Sequence, residues 1–164
     1  MRKVLLVLGL SGLAFAGEVF VDVPITINNT GGCVFDNTPS VIDFGSVPYE
    51  AYSKSTTNYD LSPVNISFKC TAGVNYTLSF SGLTSAGGAT ATLQRSGISE
   101  LVGLNIYKDS ARTQKITSSN PTIATGTGDG STQNITIYPR IGGCASSSCP
   151  PGTYSRTLTL RITY

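Results

Sequence analysis

Four cysteines, Cys33, Cys70, Cys144 and Cys149, carry the most definite chemistry in this chain. Thiols form disulfides in an oxidising compartment and bind zinc in a reducing one. The spacing lacks the paired C-x-x-C knuckles of zinc sites, so we predict no metal site. Three disulfide pairings are possible. We favour Cys33–Cys70, which would join two distant segments, together with Cys144–Cys149, which would close a short loop.

The first residues of the chain indicate the oxidising compartment. Met1-Arg2-Lys3 is a short basic start, residues 4–13 are almost entirely apolar, and Ala14-Phe15-Ala16 offers small residues for cleavage. This is the layout of a secretory signal peptide. The alternative, a membrane anchor, would need about 20 apolar residues to span a bilayer. We therefore predict that residues 1–16 are a signal peptide and that the chain is exported.

Catalytic motifs are missing from the sequence. It contains no histidine, which excludes Ser-His-Asp and Cys-His catalysis and histidine-based zinc sites. Gly126-Thr127-Gly128-Asp129-Gly130 lacks the following lysine and helix of a phosphate-binding loop, and we predict a flexible loop there. A net charge of +2, without a Lys/Arg cluster beyond Arg2-Lys3, argues against nucleic-acid binding. We predict no enzyme activity, no catalytic residues and no cofactor.

The elements that position these residues are predicted to be short β-strands. Apolar and polar residues alternate with a period of two, as in half-buried strands. The runs are centred on Ile66, Leu78, Leu104, Ile137 and Leu160. Gly- and Pro-rich turns separate them. About seven such strands predict a single all-β domain, an immunoglobulin-like antiparallel β-sandwich.

The two ends of the exported chain depart from an ordinary sandwich. Five apolar residues alternate before the first cysteine: Val19, Val21, Val23, Ile25 and Ile27. Asn29-Thr30-Gly31-Gly32 then forms a joint, while the last strand runs out to Tyr164 without a following tail. From the residues alone, two interpretations stay open. Residues 19–27 are either the first strand of their own domain, or a free strand that fills a gap in another copy.

The chain resembles the spore coat protein U-like domain, which is found in subunits of archaic chaperone–usher pili. The resemblance covers residues 33–164 and rests on the order and spacing of several segments. They are Cys33-Val34-Phe35, Asp43-Phe44-Gly45, Val64-Asn65-Ile66-Ser67-Phe68-Lys69-Cys70-Thr71, Asn75-Tyr76-Thr77-Leu78-Ser79-Phe80, Leu104-Asn105-Ile106-Tyr107-Lys108-Asp109-Ser110-Ala111-Arg112-Thr113, Ile137-Tyr138-Pro139-Arg140-Ile141 and Pro151-Gly152-Thr153-Tyr154-Ser155. The family's Trp-Gly-Asp-Gly stretch is missing, and Cys144 with Cys149 is an addition.

The resemblance implies a pilin that is an incomplete sandwich completed by donor-strand exchange. Residues 17–32 would be the donor strand and its joint, and residues 33–164 the pilin domain. The donor residues would be the five alternating ones, Val19, Val21, Val23, Ile25 and Ile27. The acceptor groove would be formed by Val41, Phe44, Leu158, Leu160, Ile162 and Tyr164. Pro24 cannot donate to a ladder, so we expect a bulge or a skipped bond there.

The resemblance also implies partners and a location. Neighbouring copies or related pilins, a periplasmic chaperone and an outer-membrane usher would bind the chain. It would pass through the periplasm to a surface pilus that serves adhesion or biofilm formation. The alternative is a secreted spore-coat or carbohydrate-binding β-sandwich module.

Overall fold

The protein is all-β in the part of the chain that its structure, a computed structural model, describes. That part comprises residues 18–28, 32–36, 41–48, 58–84, 88–97, 101–144 and 150–164. It contains twelve strands: β1 (Glu18–Asn28), β2 (Cys33–Phe35), β3 (Val41–Pro48), β4 (Tyr59–Asp60), β5 (Val64–Cys70), β6 (Asn75–Ser81), β7 (Ala91–Gln94), β8 (Leu101–Tyr107), β9 (Thr122–Thr127), β10 (Thr132–Cys144), β11 (Gly152–Ser155) and β12 (Leu158–Thr163). None of these segments forms a helix that could cross a bilayer.

The strands form one connected order, β2-β5-β10-β8-β7-β11-β1-β12-β6-β9, with β3 beside β1 and β4 beside β10. Two long strands make this connection because each changes partner along its length. β10 pairs with β5 over residues 132–137 and with β8 from Tyr138 onward. β1 pairs with β11 in its first half and with β12 in its second. The predicted immunoglobulin-like fold class is confirmed, and β1 lies between β11 and β12 in the strand order.

The core is built from the alternating residues that the sequence pattern singles out. Ile66, Leu78, Leu104, Ile137 and Leu160 are all fully buried in one hydrophobic cluster. Because side chains point to opposite faces of a strand in turn, their neighbours in sequence are half-buried or exposed. These core residues come from β5, β6, β8, β10 and β12, and β12 is the strand that pairs with the second half of β1.

The disulfide between Cys33 and Cys70 is present and confirms the first predicted pair. The two residues lie directly opposite each other in the β2–β5 ladder, with Cα atoms 4.0 Å apart. The second pair cannot be compared, because Cys149 lies outside the described residues. So do the predicted signal peptide, residues 1–16, and residues 29–31 of the joint.

Removal of the Cys33–Cys70 bond is expected to destabilise the folded body strongly. The bond spans a sequence separation of 37 residues. Closing a loop of that length lowers the conformational entropy of the unfolded chain. In the chain-entropy model this raises the free energy of unfolding by about 4 kcal/mol. We expect C33A/C70A to lose about that much free energy of unfolding in urea titrations at equal m-values. A double variant as stable as the oxidised parent would contradict this expectation.

Candidate functional site

A groove for an extended strand is the candidate functional site. Its walls are β3 on one side and β11 with β12 on the other, and we call it the strand groove. In this structure β1 of the same chain occupies it, pairing antiparallel with β3 and parallel with both β11 and β12. The structure thus places the predicted donor strand between the two predicted walls of the acceptor.

The register of β1 against β11 and β12 follows the alternation seen in the sequence. Three odd-numbered positions lie opposite fully buried residues: Val21 opposite Tyr154, Ile25 opposite Leu158, and Ile27 opposite Leu160. The paired even-numbered positions lie opposite exposed or half-buried residues: Phe20 opposite Thr153, Asp22 opposite Ser155, Thr26 opposite Thr159, and Asn28 opposite Arg161. Since paired residues share a face of a sheet, this register matches the apolar set of β1 to the core.

The β12 wall contains three of the predicted acceptor residues. Leu158, Leu160 and Ile162 all belong to the buried core cluster. Tyr164 differs, because it follows the end of β12 and its side chain is 53% exposed. The structure brings the first three together in the strand groove and leaves Tyr164 at its rim.

Tyr154 of β11 is a groove residue that the sequence reasoning missed. It is fully buried, and its hydroxyl donates a hydrogen bond to the carbonyl oxygen of Pro150 at 2.9 Å. It continues the even-numbered series of β12 across a break at Arg156 and Thr157. The even numbering that Tyr154 shares with the buried residues of β12 is the signal in the sequence that could have identified it. β11 extends the groove wall by four residues along the chain.

The β3 wall contains the other two predicted acceptor residues, Val41 and Phe44. Val41 pairs with Pro24, at one end of the β1–β3 ladder. Phe44 lies at a register shift, where Phe20 pairs with Ser46 but Asp22 pairs with Asp43. Two residues of β3, Phe44 and Gly45, therefore lie opposite the single residue Val21, which is the geometry of a β-bulge.

Pro24 interrupts the other ladder of β1, as expected for a residue without a backbone N–H. Pairing with β11 ends at Asp22 and pairing with β12 begins at Ile25. The facing residues, Arg156 and Thr157, belong to neither strand. This gap in pairing agrees with the bulge or skipped bond expected at Pro24, and it marks the point where β1 passes from one partner strand to the next.

The joint explains the parallel direction of β1. Thr71 donates its backbone N–H to the Gly32 carbonyl at 2.8 Å, and a Cβ placed on Gly32 would lie 3.6 Å from Cδ2 of Tyr164. Gly32 is therefore held beside the end of β12. Only residues 29–31 separate it from Asn28, and four chain steps reach at most about 14 Å. Within one chain, Asn28 must lie near the end of β12, so β1 runs parallel to it.

When β1 occupies the strand groove of its own chain, Asp22 of β1 lies directly opposite Asp43 of β3. Like charges directly opposite each other destabilise an antiparallel pair, by about 0.2–1 kcal/mol. We expect Asp43→Asn to raise the melting temperature of the monomer, and the gain to shrink in high salt, where exposed charges are screened. A lower melting temperature at every salt concentration would contradict this.

One cluster of charged side chains outside the strand groove, Asp60, Arg112 and Arg140, stabilises a loop. Asp60 accepts hydrogen bonds from Nε and Nη2 of Arg140, at 2.5 and 3.3 Å, and Nε of Arg112 lies 3.1 Å from its Oδ1. The hydrogen bond from Arg140, reinforced by the charge of Arg112, lowers the pKa of Asp60. Arg112 has a positive φ of 56° in the loop after β8. This cluster ties that loop to β4 and β10.

The glycine-rich segment predicted to be a flexible loop begins with the last two residues of β9, Gly126 and Thr127, and then packs closely against the body. A Cβ on Gly128 would lie 2.6 Å from Cβ of Cys70 and 2.5 Å from the Thr71 carbonyl oxygen. Gly128 donates its N–H to Val74 at 2.8 Å and accepts from Gly73 at 2.9 Å. Glycine is needed here because the backbone packs directly against the disulfide end of β5.

The family model for the Spore Coat Protein U domain matches residues 20–161, and the chain belongs to this family. No curated protein matches it in sequence. Among solved structures, the P pilus rod subunit PapA aligns with a TM-score of 0.60 at 13% identity, over 82% of this chain and 99% of that one. A chaperone–usher pilus studied for rod uncoiling aligns with a TM-score of 0.55 at 13% identity, over 85% of this chain and 93% of that one.

A further match involves the complex of chaperone CsuC with tip adhesion subunit CsuE, from archaic chaperone–usher Csu pili of Acinetobacter baumannii. Its TM-score is 0.47 at 18% identity, over 63% of this chain and 35% of that one. The likeness to PapA and to the uncoiling pilus shows a shared fold.

Proposed function

We propose that the protein is a structural subunit of a chaperone–usher surface pilus, and that it polymerises by donor-strand exchange. Family membership and the pilin-like fold support this function. The observation that carries it is the strand groove, in which an extended segment pairs with both walls and sets alternate residues opposite the core. Main-chain bonds supply affinity in such strand addition, and alternating side chains supply specificity.

Exchange replaces the chain's own β1 with β1 of another copy. A strand from another copy is free of the tether at Gly32 and can enter in either direction. Within the chain, β1 pairs antiparallel with β3 and parallel with β11 and β12. A strand that enters in the reverse direction would pair antiparallel with β11 and β12 and parallel with β3, so the small preference for antiparallel pairing acts on opposite walls in the two arrangements. Head-to-tail contacts of this kind form open fibres when their rotation does not close a ring.

The proposed function implies specific partners and a location for the protein. A periplasmic chaperone would hold the groove open before assembly, and an outer-membrane usher would pass the growing polymer to the outside. The subunit would thus be exported through the periplasm and end in a pilus that supports adhesion or biofilm formation. Its role would be mechanical, since the charged cluster described above binds a loop of the protein itself.

Immunogold electron microscopy of the producing cells tests this function. Antibodies raised against residues 33–164 should label thin surface fibres along their length. Deletion of the gene should remove both fibres and label, and a plasmid copy should restore them. Label spread evenly over the surface, or confined to the medium, would contradict the pilus function and favour a secreted spore-coat or carbohydrate-binding module.

A further inference from the structure

Two large apolar side chains are strongly exposed among the described residues, Val34 at 48% and Tyr164 at 53%. Both lie at the end of the body where β1 is attached. Val34 is two residues from Gly32, and Tyr164 lies against the Cβ position of Gly32 at 3.6 Å. The γ-carbons of Val74 approach the same position at 3.5 and 3.7 Å. We call Val34, Val74 and Tyr164 the joint patch.

One residue of the joint patch, Val34, lines an open depression. The depression has a volume of about 330 Å³ and is lined by Gly32, Val34, Lys69 and Thr71. β2, which contributes Val34, is three residues long, and among the described strands it pairs with β5 alone. The patch therefore has both exposed apolar area and room for a side chain from outside.

The length of the joint determines what lies next to this patch in a polymer. If β1 of one copy fills the groove of the next, its Asn28 lies inside the neighbour while its Gly32 stays on its own body. Four chain steps separate these residues, at most about 14 Å. Whichever direction the strand takes in the groove, the joint patch must lie close to the neighbouring copy.

We propose that the joint patch packs against the next copy of the chain and stiffens each junction of the pilus. This inference rests on the proposed function. Apolar surface at a point that another copy must approach favours contact, since covering it removes it from water. The strand holds two copies together, and the patch fixes the angle between them.

Fibre bending and footprinting test the patch with a matched control. In full-length Val34→Gln, fibres should form in normal yield, because donor strand and groove are unchanged, but their persistence length in electron micrographs should fall at least twofold. Thr125→Gln places the same side chain on an exposed position of edge strand β9 and should leave bending unchanged. Hydroxyl-radical modification of Tyr164 should drop severalfold from monomer to fibre.

These experiments distinguish a failure of the joint-patch contact from a failure of the proposed pilus function. Fibres of Val34→Gln that are as stiff as wild type, with Tyr164 equally reactive in monomer and fibre, overturn the patch and leave the pilus function standing. Normal fibre stiffness with weaker chaperone capture of Val34→Gln also overturns it, since the patch would then serve the chaperone. If the wild-type chain forms no fibres under any condition, the proposed function itself fails.

Discussion

A chain that lacks residues 1–28 is expected to lose its stable fold, and to regain it when a synthetic peptide of residues 18–28 is added. Without β1, the core residues Tyr154, Leu158 and Leu160 lose the strand that pairs beside them. Exposing a large apolar side chain costs about 1.5–3 kcal/mol. A domain has only about 5–15 kcal/mol of stability in total, and three such losses, about 5–9 kcal/mol together, are comparable to that total.

Circular dichroism melting with and without the peptide measures the rescue. The truncated chain alone should aggregate or melt without a cooperative transition, and the peptide should restore a cooperative transition that rises with peptide concentration. A peptide of the same composition in scrambled order is the control. A truncated chain that melts as the full chain does would show that the groove needs no strand.

Fibre assembly is expected to depend on the odd-numbered positions of β1 and to tolerate change at the even ones. Ile25 lies opposite fully buried Leu158, and Thr26 lies opposite half-buried Thr159. A carboxylate opposite the core must be desolvated without a partner, which costs several kcal/mol. We expect Ile25→Asp to reduce fibre mass at least tenfold in electron microscopy and sedimentation, and Thr26→Asp to polymerise nearly normally.

A mixing experiment distinguishes a subunit that cannot donate its β1 from a subunit whose folded body is damaged. Ile25→Asp keeps an intact strand groove, so it should accept a wild-type strand but donate none. Small amounts added to assembling wild-type subunits should therefore shorten the fibres. Thr26→Asp in the same amount should leave their length unchanged. Unchanged fibre length with Ile25→Asp, or equal loss of fibres with both variants, would contradict the assigned faces of β1.

The sequence predicts most of the groove because strand periodicity carries the necessary information. Alternation alone identifies the apolar face of β1 and the buried residues of β12, and the register matches the two sets. Tyr154 belongs to the same alternating run as Leu158 and Leu160 but is absent from the predicted groove, because the run itself does not show that β11 lies beside β1. Periodicity shows which face is apolar, but it cannot show which strands are neighbours.

Two other features depend on three-dimensional contacts that no local pattern records. The direction of β1 follows from the anchoring of Gly32 beside Tyr164. The ordered loop at Gly128 follows from close packing against Cys70, whereas glycine-rich composition by itself indicates flexibility. In both places a glycine is explained by its neighbours in space rather than in sequence.

Isotope-mixed cross-linking tests most directly whether β1 of one copy occupies the strand groove of another. Subunits with a photo-cross-linking residue at Thr26 would be prepared in light and ¹⁵N-labelled form, assembled in equal mixture, irradiated and analysed by mass spectrometry. In fibres, about half of the peptides linking position 26 to β11 or β12 should join a light to a heavy partner. Monomers irradiated alone should give only same-isotope links. Fibres whose links are all of one isotope would show that each β1 stays in its own groove, and would contradict the account.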